Sequence, residues 1–168
     1  MDDAIARWKA AGAAGDADAA ATALADDVLL VSPLTDGFAF QGREEVRELL
    51  AAVFTVLTGV VYREELRDGD RVALFASATV RGVAIEESQL IRLDAEGMIS
   101  EIRFSMRPLP ALTAFVRALG PVIARSRGRK GTAAVLTAAG GFLDSVARSG
   151  DRVFLPMGAP ERVAAERG

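Results

Sequence analysis

The chain has 168 residues, of which 51% are hydrophobic and 26% charged, with a net charge of −3 and a pI near 5.1. A chain of this length and composition packs as one domain, with a small appendage at most, and its acidic balance excludes the basic footprint of a nucleic-acid binder. With neither Cys nor His, it has no disulfides, no thiolate nucleophile, no cysteine- or histidine-based metal site and not the commonest general base.

The segment Met1-Asp2-Asp3 lacks the basic start and apolar run of a secretion signal, which makes the cytoplasm the expected compartment. Ile5, Trp8 and the alanines between them fall at helical spacing and predict a helix over 2–14, closed by Gly15. Asp16 is placed to cap a second helix, 17–25, by accepting the free N–H groups of its first turn. Residues 28–32 read as a short strand and 33–37 as a turn. Residues 43–58 predict an amphipathic helix with Val46, Leu49, Leu50, Val53 and Leu57 in one stripe and Arg43, Glu44, Arg47 and Glu48 facing water.

The period then changes from helical to alternating. Segments 60–67, 71–81, 83–93 and 98–106 alternate in twos, separated by turn residues, and predict a four-stranded antiparallel meander. Its outward set, Phe75, Ser77, Thr79, Ser88 and Leu90, carries too little charge for a free surface, so a homodimer joined through the sheet is expected. Helices follow over 112–125 and 132–148. The second is weakened by Gly140-Gly141, each glycine costing about 1 kcal/mol relative to Ala. Its stripe of Val135, Leu136, Phe142, Leu143 and Val146 must pack on something, either as a lid over a cavity or as a dimer clasp. The basic run from Arg125 to Lys130 reads as a solvated linker, and the tail beyond Asp151 is indeterminate. No run of about 18 uncharged apolar residues occurs, so no membrane partner is expected. Helices, then a curved sheet, then helices make an α+β class, with 1–125 as the domain and 126–168 as a helical extension packed on it.

The order of these pieces resembles a known family. A Gly-Asp between two helices, Ala25-Asp26-Asp27 before a strand, a Gly-started helix at Gly42 and the closing hairpin IRLDAEGMISEIRF are similar to the NTF2-like superfamily, in its SnoaL-like branch related to ketosteroid isomerase and limonene epoxide hydrolase. The resemblance spans about residues 1–106. It implies a cone, in which a curved sheet wraps helices around one deep apolar cavity. In ketosteroid isomerase-like members an Asp base precedes a Pro at the end of the first strand, a Tyr sits on the first helix and an acid on the third long strand. By motif these positions fall on Ser32, Trp8 and Gln89. None of the three takes up a proton at neutral pH, so steroid isomerisation by that trio is not expected. The arginine–aspartate pairing of limonene epoxide hydrolase also fails, since Val83 stands where the acid would follow Arg81.

The residues' own alternation gives the cavity wall. Ile85, Glu87, Gln89, Ile91 and Leu93 share one face, as do Leu74, Ala76, Ala78 and Val80, and as do Ser100, Ile102, Phe104 and Met106. Trp8, Ser32, Leu74, Ala76, Ala78, Gln89, Ile102, Phe104 and Met106 are therefore the expected ligand-binding residues. Glu87 is the one inward ionisable group and the catalytic candidate. It either faces the apolar wall with a raised pKa or sits at the rim paired with an arginine. Trp8 and Gln89 can equally be core groups satisfying one another, and Ser32 a turn-former. Asp26 and Asp27 read as helix-end and turn groups. The expected function is the binding of a small hydrophobic molecule, with isomerase, hydrolase or cyclase chemistry, and with no cofactor, metal or nucleic acid. The alternatives are a non-catalytic carrier or sensor, or a dimerisation module with a vestigial pocket.

Overall fold

The computed structural model describes residues 3–126, 128, 130–154 and 157, without the side chains of 126, 130–136, 151 and 154. Met1-Asp2, Arg127 and Arg129 of the basic run, the side chains of Val135 and Leu136 in the expected C-terminal stripe, and the tail from residue 158 lie outside the described residues.

Helix α1 (Ala4–Ala14) is capped by Asp3, whose side chain accepts from the Ile5 N–H, and is closed by Gly15 in the left-handed region at φ 70. Asp16 accepts from the Ala19 N–H to start α2 (Ala17–Ala21). That helix ends four residues before the predicted limit. Thr22 turns the chain, and Ala23 and Leu24 are wholly buried as β1 (Leu24–Val31) begins. Strand pairing of Leu24 with Ile99 overrides the helix propensity of the alanine run. After the short β2 (Phe40–Gln41), α3 (Arg43–Phe54) buries Val46 and Leu50. The predicted final turn of this helix instead opens β3 (Leu57–Asp68), and Leu57 belongs to the sheet.

Strands β3, β4 (Arg71–Val80), β5 (Val83–Leu93) and β6 (Ile99–Arg107) form the predicted antiparallel meander. The structure adds β1, parallel to β6, and β2 at the edge, giving the order β2-β1-β6-β5-β4-β3. Asp26 and Asp27 lie in β1 rather than at a helix end or turn, and Asp26 pairs with Arg43 at 2.9 Å.

Buried apolar residues gather in two clusters. The first joins α1, α2, β1 and α3 to the sheet around Ile5, Trp8, Val28 and Ile102. The second joins the sheet's other end to α4 (Leu109–Ser126) around Val80, Ile85, Ala114 and Phe115. Helix α5 (Lys130–Ser149) packs along α4, with a π-helical turn, Gly150–Phe154, after it. Gly140, expected to weaken α5, also lets the two helices approach closely, since a Cβ there would stand 2.8 Å from the Arg117 Cα. Phe142, Leu143 and Val146 remain exposed. Among the described residues no helix is long and apolar enough to cross a membrane.

Candidate functional site

A cavity of about 150 Å³ opens where the two halves of the core fail to meet. Its wall takes Trp8, Leu30 and Leu50 from the first cluster and Leu57, Phe115 and Leu119 from the second. An apolar enclosure of this size is large enough to take up an aromatic ring. Pro33, Leu34 and Phe38, from the segment between β1 and β2, complete the wall. Phe38, largely exposed, stands edge-on to Phe40 with ring centroids 5.5 Å apart.

Two rows of the sheet supply the polar groups. Pairing across β3, β4, β5 and β6 sets Tyr62, Ala76, Glu87 and Met106 side by side, with Leu74, Gln89 and Phe104 in the next row. Ala76 is the small member of that row, between Tyr62 and Glu87. Gly12 of α1 leaves room from the helix side, because a Cβ there would run into the Tyr62 hydroxyl.

A directed hydrogen-bond chain joins these groups. The Trp8 indole Nε1 donates to Gln89 Oε1 at 2.8 Å, and Gln89 Nε2 donates to Glu87 Oε1 at 2.6 Å. An indole N–H can only donate, so Trp8 fixes which end of the Gln89 amide faces it and leaves the amino end for Glu87. Tyr62 lines the same cavity beside Gln89 and Glu87. Glu87 is 8% exposed and has no counter-ion among the described residues; the arginine-paired position at a rim is not the one it takes. No donor among them reaches its Oε2. Burial pushes the Glu87 carboxyl above its ordinary pKa, and the Gln89 hydrogen bond opposes this only in part. The Tyr62 hydroxyl is pushed up as well, first by burial and then by the neighbouring Glu87 charge. The site is thus a greasy hollow with one titratable carboxyl, held by an amide that an indole orients.

Of the residues expected at the cavity, Trp8, Ser32, Glu87, Gln89, Phe104 and Met106 line it. Leu74, Ala76, Ala78 and Ile102 do not. Leu74 and Ile102 are wholly buried in the first cluster, Ala78 packs in the second, and Ala76 lies between its longer neighbours. Two-residue alternation identifies the inward face but not which part of that face the helices cover. The Ser32 hydroxyl accepts from the Leu34 N–H at 3.1 Å, a local turn contact. Sequence reasoning missed Tyr62, Phe38 and the cavity-facing residues of α4. Tyr62 lies in the first strand of the predicted meander, for which the alternation gave no inward set.

Comparison with known proteins places this geometry. Solved structures similar to this chain include an uncharacterised protein with a cystatin-like fold from Silicibacter pomeroyi DSS-3, at 28% identity and TM-score 0.68 over 76% of this chain and 87% of that one. A steroid delta-isomerase from Pseudomonas aeruginosa is similar at 27% identity and TM-score 0.68, over 74% of this chain and 92% of that one. The epoxide hydrolase/cyclase-like enzyme SalBIII, of pyran ring formation in the polyether salinomycin, shares the fold at 20% identity and TM-score 0.51, over 62% and 88%. No functionally curated protein matches the chain. The SnoaL-like domain model matches residues 5–102, from the first helix to the last strand, and the chain belongs to the SnoaL-like family of NTF2-like proteins.

Proposed function

We propose that this protein binds a small, mostly apolar molecule in the cavity and transfers a proton to or from it through Glu87, in an isomerisation or ring-forming reaction. The observation that carries this reading is a buried carboxyl with no counter-ion among the described residues, lining an apolar hollow and held by Gln89 at 2.6 Å. A raised pKa brings such a group toward the working pH, where a general acid or base is most effective. Gln89 and Trp8 position it, and Phe104, Met106 and Phe38 grip the apolar body of the ligand. The steroid isomerase and the cyclase-like enzyme among its structural relatives support the reaction class.

A non-catalytic carrier is the second reading. It is favoured by Ser32, whose hydroxyl is tied to the Leu34 N–H and has no neighbouring base in a chain without His. Trp8 is the only tryptophan, so its fluorescence reports cavity occupancy directly. Wild-type protein and Glu87→Gln are to be titrated with a panel of cyclic ketones and epoxides, and those that bind assayed for turnover. Under the proposal both proteins bind with similar affinity, and the variant loses about 10²–10⁴-fold in kcat. Equal turnover by the variant would remove Glu87 from the chemistry; binding with no turnover by either protein would leave the carrier. Failure of any apolar ligand to quench Trp8 would defeat both readings.

The same proposal includes a homodimer formed through the outer face of the sheet. Leu66, Phe75 and Leu90 support it, all exposed there on neighbouring strands.

A further inference from the structure

On the face of α4 turned away from the cavity, Thr113 and Arg117 meet α5. Asp144 of α5 is only 2% exposed, covered by the side chains it binds. Its Oδ2 accepts from Arg117 Nη1 at 3.1 Å, and its Oδ1 from Arg148 Nε at 3.0 Å and Thr113 Oγ1 at 3.4 Å. Arg81 arrives from a third element, the turn between β4 and β5. It lines one surface cleft of about 410 Å³ together with Arg117, Asp144, Ser145 and Arg148. Among the described residues Arg81 has no hydrogen-bond or ion-pair partner. Among the described residues the cleft is lined by three guanidinium groups and one carboxylate, an excess of two positive charges in a chain whose net charge is −3.

We propose that this cleft is a binding site for a phosphate group, or a comparable dianion, carried by a small molecule. Asp144 has both oxygens committed, so it acts as a bracket rather than as a cation ligand. It holds two guanidiniums in fixed orientation and engages one nitrogen of each, leaving their remaining N–H groups for an incoming anion. A pre-set arginine fork loses little side-chain freedom on binding and matches phosphate oxygens in pairs. Ser145 adds a hydroxyl, and Arg81 supplies the third side. The backbone at Arg81 has φ 50, followed by Gly82 at φ 77, the pattern of a tight hairpin in which Asn or Gly is the usual first residue. The residue present there instead carries the unpartnered cation. Occupancy would tie the sheet turn to both C-terminal helices, on the far side of the helix whose Phe115 and Leu119 wall the cavity.

The test uses the full chain and inorganic phosphate, read by calorimetry and by the melting temperature, against chloride at equal ionic strength. Phosphate is expected to bind saturably and raise the melting temperature beyond chloride. Arg81→Asn keeps the turn's preferred backbone while removing the cation, and should weaken binding about tenfold. Arg92→Gln, an equal change in net charge on the sheet's outer face, should leave binding unchanged. Absence of saturable phosphate binding, or equal loss in Arg81→Asn and Arg92→Gln, would overturn the site, since the latter is general charge screening. A phosphate monoester should bind at least as well as inorganic phosphate. Binding confined to phosphatidylcholine vesicles containing phosphatidic acid would overturn the small-molecule assignment.

Discussion

At the scale of single residues, the cavity is governed by the conflict at Glu87. Burial favours the neutral carboxyl, and the Gln89 amide, oriented by Trp8, favours the ion. Burial wins, so the folded protein holds this proton to higher pH than the unfolded chain does. A carboxyl with a raised folded-state pKa contributes stability that is fully present below its unfolded value and is lost as pH rises through the folded one. Glu87→Gln mimics the protonated group permanently and keeps an oxygen to accept from Gln89. The variant is therefore expected to melt above wild type at pH 8, with the gap closing as pH falls to about 4, where the ordinary carboxyl protonates. A variant that melts below wild type at pH 8 would mean that the ion is the preferred buried form. This stability readout is independent of any substrate and so complements the turnover assay.

At the scale of elements, two adjacent glycines in α5 make opposite demands. A Cβ at Gly140 would press on the Arg117 backbone, whereas one at Gly141 would lie at ordinary contact distance, 3.8 Å, from the Arg117 guanidinium. Gly141→Ala is expected to add about 1 kcal/mol from helix propensity alone. Gly140→Ala should cost on the order of 1–3 kcal/mol, because the two helices must part and the Arg117–Asp144 contact one turn on must stretch. Thermal melts of both variants check this, and equal stabilisation by both would mean that α5 does not dock on α4 at that point. Neither role was legible in the sequence, where a Gly-Gly pair is only a weak helix. The α3 stripe and the β4, β5 and β6 alternation were legible, because one face of each is mostly aliphatic and the other is not. Tyr62 was not, for a specific reason. Counting back from the turn at Gly69 puts it opposite Ser77, on the outer face, but a register shift between Tyr62 and Glu64 sets it opposite Ala76 and turns it inward. The sequence of β3, with charges in both phases, carries no mark of that shift.

At the scale of the whole molecule, two apolar surfaces stand exposed among the described residues. One is the outer sheet, where Leu66, Ala73 and Leu90 form a row across three strands and Phe75 stands in the next. The other is the stripe of Phe142, Leu143 and Val146 on α5. The sheet is the better dimer surface under the proposal, because Ala73 and Leu90 sit on strands paired on both sides and the apolar row spans three strands without a gap. A single carboxylate in the middle of a desolvated two-fold interface is opposed by its own copy across the axis, so one substitution is felt twice. Leu90→Glu is expected to convert a dimer into a monomer by analytical ultracentrifugation, with the melting temperature of the monomer little changed because Leu90 lies outside both core clusters. Phe142→Glu is expected to leave the dimer intact. The reverse pattern would make α5 the clasp and leave the sheet face to water. That outcome would also bear on the arginine cleft, since Ser145 and Arg148 follow Phe142 on the same helix and a partner seated there would compete with an anion for them.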